Sequence, residues 1–306
     1  MVVFVLLAVL NCCISATNGA VLPPARSDDN NDIGDGDGGQ LAHRFPSAII
    51  IGVKKSGTRA LLEFLRLNPA VKAPGPEVHF FDRHFDRGFD WYRRQMPLTT
   101  ADQLTIEKSP SYFVTKTAPE RVHRLDPTMK LIVVVRDPIT RAISDYTQTA
   151  SKRPGMPSFE HMAFINATNA VLPKMTPANA QGVNTSWGAI RIGIYHRFVS
   201  RWLEYFPLHQ IHFVNGERLI THPAEEIAAV EKFVGLRPTV RAEDFVLNTE
   251  KGFPCIKRTD GTTHCLGKTK GRAHPKVSPH AISRLRTFYA PLNDRFYELI
   301  GRNFGW

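Results

Sequence analysis

The sequence predicts an α/β fold in three layers, a central parallel sheet flanked by helices on both faces. Three stretches carry this expectation. Residues 47–64 read SAIIIGVKKSGTRALLEF: three isoleucines, a basic loop bounded by Gly52 and Gly57, then Leu61, Leu62 and Phe64 at helical spacing. Residues 129–135 (MKLIVVV) form a continuous, largely β-branched run that ends in Arg136-Asp137-Pro138. Proline is favoured at a helix start, so 139–150 continues as a helix. Residues 211–214 (IHFV) are a further strand, closed by a turn at Asn215-Gly216. Strands without polar alternation are buried on both faces, as parallel strands are between helical layers.

Taken in order, the first twenty residues are apolar up to Leu10 and small or polar from Ser15. The run is too short to span a bilayer comfortably. It fits a signal peptide cleaved after Ala16 or Ala20, or a short signal-anchor that tethers the chain to a membrane. Residues 21–43 read as a flexible stem, because 26–40 are rich in Asp, Asn and Gly with no apolar period. The folded domain is expected over 44–306. Within it, 104–108 (LTIEK) is a short strand. Residues 187–206 place Trp187, Ile190, Ile194, Tyr195, Phe198, Val199, Trp202, Leu203 and Phe206 at i, i+3/i+4 spacing, which predicts one long amphipathic helix. Residues 224–233 form another helix, and 277–300 a C-terminal helical region kinked at Pro291.

The 306 residues are 42% apolar and 22% charged, enough for one large core and too few charges for global disorder. The formal charge of +11 attracts polyanions, whether nucleic acid, acidic glycan or anionic lipid. The leader and the sequons at Asn166 and Asn184 place the domain in the secretory pathway, which disfavours nucleic acid and favours an acidic glycan. Cys12 and Cys13 lie in the leader, leaving Cys255 and Cys265. One disulfide between them is the simplest reading; it would contribute about 2–3 kcal/mol by loop closure. Two free thiols or half of a metal site are the alternatives.

A glycine-bounded loop between a buried strand and a helix is an anion cradle. This one is not a triphosphate loop of the G-x-x-x-x-G-K-[ST] type, because Thr58 stands where the lysine belongs and Lys54 and Lys55 lie inside the loop. A phosphotransferase using ATP is disfavoured accordingly. Arg136 leaves a strand end, and Ser144 follows two helical turns later, which makes a second anion site unless Arg136 pairs with Asp137 or Asp145.

The blocks KKSGTRALLEFL, PEVHFFD, EKSPSYF, VRDPITRAISDYTQT, KGFPC and LGKTKGRAHP, in that order from about Phe45 to Trp306, resemble the heparan sulfate glucosamine 3-O-sulfotransferases. These belong to the superfamily that uses 3′-phosphoadenylyl sulfate (PAPS) and has a P-loop-like sulfotransferase fold. Two departures stand out: Ser56 replaces the family's usual glycine, and about 167–182 look inserted. The resemblance implies that Lys55, Ser56, Gly57, Thr58 and Arg59 cradle the 5′-phosphosulfate, and that Arg136 and Ser144 hold the 3′-phosphate. It implies that Lys270, Gly271, Arg272, Ala273 and His274 close over the nucleotide, and that the product is PAP (3′-phosphoadenosine 5′-phosphate). Glu77 matches the catalytic base, with His79 as its orienting partner or an alternative base. Lys55 and Lys108 would stabilise charge during transfer. Val78, Phe80, Phe81, Asp82, Arg83, Ser109, Pro110, Ser111, Gln148, Trp187 and Lys268 complete the expected surface for the heparan sulfate chain. The implied enzyme is a monomeric domain of the Golgi lumen that needs no metal. N- or 6-O-sulfation, or heparin binding without catalysis, are the alternatives.

Overall fold

The computed structural model describes residues 39–165, 182–249, 252–258, 260–267 and 272–306. The chain begins with β1 (Ala42–His43), β2 (Ala48–Gly52), α1 (Thr58–Leu65) and β3 (Val71–Lys72). Two short helices follow, α2 (Phe80–Arg83) and α3 (Gly88–Arg94), then β4 (Leu98–Thr99), which pairs antiparallel with β1. The alternation resumes with β5 (Leu104–Lys108), α4 (Ala118–Leu125), β6 (Lys130–Val135) and α5 (Pro138–Ala150). Next come α6 (Phe159–Ala163), α7 (Gly188–Arg191), α8 (Tyr195–Leu203), β7 (Ile211–Asn215), α9 (Arg218–Thr221) and α10 (Pro223–Val234). A small antiparallel sheet of β8 (Phe245–Asn248), β9 (Phe253–Lys257) and β10 (Thr263–His264) precedes α11 (Pro279–Ile300).

The main sheet has five parallel strands in the order β3-β5-β2-β6-β7. Every residue of β2 is buried. Its side chains alternate between two cores, as strand geometry requires. Ile49 and Ile51, with Leu131, Val133 and Val135 of β6, pack against Phe198, Val199 and Trp202 of α8 and Phe296 of α11. Ala48 and Ile50, with Ile132 and Val134, pack against Leu61, Leu62 and Phe64 of α1 and Ile227, Val230 and Val234 of α10. Each such aliphatic or phenyl side chain contributes about 1.5–3 kcal/mol by leaving water. The sheet is therefore covered on both faces, as the apolar runs predict.

The predicted long helix over 187–206 is two helices. The chain breaks between α7 and α8 at Gly193, where a Cβ would stand 2.9 Å from both Pro138 Cβ and the Tyr289 hydroxyl. Carbonyls at the end of α7 are taken from outside: Tyr289 Oη donates to Ile190 O at 2.7 Å, and the Arg141 guanidinium donates to Ala189 O. The apolar spacing survives the break, so periodicity alone cannot reveal it. The C-terminal region forms one helix that runs through Pro291, with Ser278 capping its start by accepting from Ala281 N–H at 3.2 Å.

Gly52 ends the central strand against Phe113, whose Cβ would lie 2.5 Å from a Cβ at position 52. Gly52→Ala should cost about 1–3 kcal/mol through overpacking. Gly75→Ala, where nothing lies within 4 Å of the added carbon, should be neutral within about 0.5 kcal/mol. Thermal melts of both variants check this.

Candidate active site

Three adjacent strands deliver the site. β2 ends in the basic loop, where Lys55 (φ 74°) and Gly57 (φ 111°) are left-handed. Val53 N–H donates to Val134 O at 2.9 Å and Ser56 N–H to Val53 O at 3.0 Å, so the loop is tied both to β6 and to itself. Gly57 supplies no side-chain cap to α1 and the first turn holds no acidic residue. The first amides of that helix are left for an anion.

The loop is strapped down by charge. Arg141 of α5 is wholly buried; it donates to Lys54 O at 3.3 Å and to Asp145 Oδ2 at 3.3 Å, besides Ala189 O. Lys54 Nζ pairs with Asp145 Oδ1 at 2.9 Å, and Lys55 Nζ donates to Gln148 Oε1 at 3.0 Å. Arg59 pairs with Glu63 Oε1 at 2.7 Å and donates to Gly75 O at 3.2 Å, which links α1 to the segment carrying Glu77.

β6 delivers Arg136. Asp137 is spent on capping α5, accepting from Ile139 N–H at 3.1 Å, and Asp145 on Arg141 and Lys54. Arg136 therefore pairs with neither. Its Nε is buried with no hydrogen-bond partner, and Glu217 Oε1, at 3.8 Å, is too far to serve. Burial holds the Glu217 carboxyl above the usual range. His274 lies beside the same cations: burial, then Arg136 and Lys55, push its imidazolium below the usual range. Ser144 and Arg272 line the same cleft.

β5 delivers Lys108, only 5% exposed, whose ammonium pairs with Glu77 Oε1. The other oxygen, Glu77 Oε2, lies 3.3 Å from His79 Nε2. His79 Nδ1 lies 3.1 Å from Asp82 Oδ2, which also accepts from Ser111 Oγ at 2.7 Å. Lys108, Glu77, His79, Asp82 and Ser111 thus form one chain of polar contacts leading inward from the cleft, with the Glu77 carboxylate held from both sides.

The cleft has a volume of about 1300 Å³. That exceeds the range of roughly 300–1,000 Å³ typical of a small-molecule pocket. It is lined by Lys55, Ser56, Gly57, Thr58, Arg59, Glu77, His79, Arg83, Lys108, Pro110, Ser111, Arg136, Ser144, Gln148, Arg272, Ala273 and His274.

Several expected contacts lie elsewhere. Val78, Phe80 and Phe81 are core side chains, at most 8% exposed, with Phe80 stacked on Tyr92 at 4.5 Å between centroids. Ser109 is fully buried, and Asp82 sits behind His79 rather than in the lining. Trp187 packs edge-on to Phe159 (5.6 Å) and Tyr146 (6.2 Å), away from the cleft lining. Asn184 is half-buried; its Nδ2, where a glycan would attach, donates to Met162 O at 3.1 Å. Lys268, Lys270, Gly271, Asn166 and most of the expected insertion fall outside the described residues. Cys255 and Cys265 do form a disulfide, beside the sheet whose Phe253 and His264 wall the cleft. Sequence reading missed Arg141, although its i, i+4 spacing to Asp145 was a visible signal. It read Gly216 only as part of a turn and not as the point where the backbone presses on the basic loop, where a Cβ would come within 2.6 Å of Ser56 O.

Residues 45–297 match the sulfotransferase domain family. The chain is 52% identical over 265 residues to heparan sulfate glucosamine 3-O-sulfotransferase 6 of Mus musculus, covering 86% of this chain and 74% of that protein. It belongs to the heparan sulfate glucosamine 3-O-sulfotransferase family. The Homo sapiens 3-O-sulfotransferase 3B1 is 52% identical over 270 residues, 88% of this chain; the chain spans 66% of that relative, just under two thirds of its length. The sulfotransferase from Alicyclobacillus acidocaldarius superposes with a TM-score of 0.62 at 21% identity, over 85% of this chain and 98% of that one. The fold is therefore the three-layer sulfotransferase fold that the motifs imply. In this family member the loop of β2, Arg136 and the Lys108–Glu77 pair occupy one sheet edge.

Removing a buried cation strands its buried partner, so Arg141→Met should cost about 3–5 kcal/mol. Lys54→Met, removing an ammonium whose side chain is 51% exposed, should cost no more than about 1 kcal/mol. Denaturant unfolding of the two variants checks the contrast.

Proposed function

We propose that the protein transfers a sulfonate group from PAPS to the 3-hydroxyl of glucosamine in heparan sulfate, in the Golgi lumen. The observation that carries the reading is the coexistence, in one cleft, of an uncapped loop–helix anion site and a carboxylate braced by a buried lysine. The names of its relatives agree with it. The N-terminal segment would serve as a signal peptide or membrane tether, and the domain would act as a monomer.

The donor half fits a nucleotide with phosphates at both ends of its ribose. The amides of the loop and of α1, with Lys55 and Thr58, suit a 5′-phosphosulfate. Arg136, with its unsatisfied buried Nε, and Ser144 suit a 3′-phosphate. Arg272 and His274 border the same space, and Lys270 and Gly271 would complete that wall. When bound, PAPS supplies an electrophilic sulfur and a PAP leaving group.

At the acceptor half, a sugar hydroxyl is a poor nucleophile and needs a base within hydrogen-bond reach. Glu77 takes its proton while the oxygen bonds to sulfur and the bridging S–O bond breaks. Full deprotonation by a carboxylate is uphill, so the two events are concerted. His79, held by Asp82, orients Glu77. Lys108 holds the carboxylate at rest and is placed to turn to the transferring sulfonate. Lys55 would stabilise the charge that grows on the bridging oxygen; preorganised charge of this kind is worth about 3–4 kcal/mol. Arg83, Gln148, Pro110 and Ser111, with Lys268, would meet the polyanionic chain, so binding should weaken as salt rises.

Incubation with heparan sulfate and sulfur-labelled PAPS, followed by disaccharide analysis, should place the label at the glucosamine 3-O position. Label at N or 6-O would overturn the regiochemistry, and no incorporation would favour a heparin-binding protein without catalysis. Glu77→Gln should lower kcat by about 10²–10⁴-fold; full retention would exclude Glu77 as the base.

A further inference from the structure

Glu107 stands one residue before Lys108 on β5, fully buried and outside the cleft lining. Its Oε1 accepts from Ser109 Oγ at 2.6 Å, and its Oε2 accepts from Tyr92 Oη at 3.4 Å. Ser109 Oγ in turn accepts from His79 N–H at 3.1 Å, and Tyr112 Oη accepts from Phe80 N–H at 2.7 Å. The His79 amide is thus held, through Ser109, by Glu107, and the Phe80 amide by the neighbouring Tyr112. They belong to the residues that follow the proposed base. Within them His79 is left-handed, at φ 55°. A non-glycine residue keeps that conformation only where its surroundings impose it.

We infer that Glu107 is a positioning residue for the transfer reaction: through Ser109 its carboxylate clamps the backbone at His79 and so fixes where Glu77 and His79 point. This rests on the reading of Glu77 as the base. Both oxygens of the carboxylate accept, Oε1 from Ser109 and Oε2 from Tyr92. A glutamine would turn an NH₂ group toward at least one of them. Burial pushes the Glu107 carboxyl up to about 7, so its all-acceptor form prevails above that pH. Because the network lies behind the cleft, its loss should displace the base without removing any contact with the donor.

The test compares Glu107→Gln, Ser109→Ala and Tyr92→Phe with wild type, measuring kcat for sulfonate transfer, KM for heparan sulfate and the calorimetric affinity for PAP. A misplacement near 1 Å can cost about 10²-fold. Glu107→Gln should lower kcat by about 10- to 100-fold, and Ser109→Ala in the same direction. The affinity for PAP should stay within about twofold and KM should move less than kcat. Tyr92→Phe, which removes only the hydroxyl on Oε2 and keeps the ring stacked on Phe80, should keep the wild-type kcat. Wild-type kcat in Glu107→Gln or Ser109→Ala would overturn the inference, and so would parallel loss of kcat and PAP affinity. If Glu107→Gln does not fold, Ser109→Ala decides. A wild-type enzyme without transfer activity would refute the reading of Glu77 and this inference together, whereas an active wild type with unaffected variants refutes the inference alone.

Discussion

Ile50 of β2 lies beside Lys108 of β5 on one side and Ile132 of β6 on the other. That register brings three neighbouring parallel strands to an end along one edge of the sheet, and each hands over a charged group there. β2 opens into the loop with Lys54 and Lys55, β5 ends on Lys108, and β6 runs out into Arg136. Ligands of open α/β sheets gather beyond the carboxyl ends of the strands. A one-residue slip of β5 would turn Lys108 away from the cleft and bring Glu107 into it, because side chains alternate between faces. The chemistry of the cleft therefore depends on an apolar packing problem solved by Ile49, Ile50, Ile51, Val133 and Val134.

The ion pairs of the described residues are of two kinds, and burial separates them. Arg93 and Asp90 pair at 3.1 Å with side chains 47% and 76% exposed, an arrangement worth little in water. Arg141 and Asp145 are 0% and 7% exposed, so neither can lose the other cheaply. The second kind fixes geometry: Arg141 binds the basic loop to α5 and α7, and Glu107 binds the segment that bears Glu77 to β5. The cleft-facing cations Lys55, Lys108 and Arg136 are thus mounted on a frame of buried polar groups.

Much of this was legible in the sequence. The continuous apolar runs at β2, β6 and β7 announce a covered parallel sheet, and the displaced lysines of the loop distinguish it from a triphosphate site. What stayed hidden depends on partners far along the chain. The break at Gly193 is imposed by Pro138, Tyr289 and Arg141, so the spacing over 187–206 looks unbroken. Phe80 and Phe81 follow Glu77 and His79 too closely for any period to tell cleft from core. β1, β3 and β4 are two residues each and exist only as pairings. Glu107 reads as the polar end of a short strand, and only the folded chain reveals that it points inward while Lys108 points to the cleft.

The central claim is that one edge of the sheet carries two separable halves, a nucleotide seat built on β2 and β6 and a transfer centre built on β5. Calorimetric titration of the Glu77→Gln protein with PAP tests it most directly. Wild-type affinity for PAP in that variant is the predicted result. Loss of PAP binding on substitution of Glu77, with the fold intact, would contradict the division.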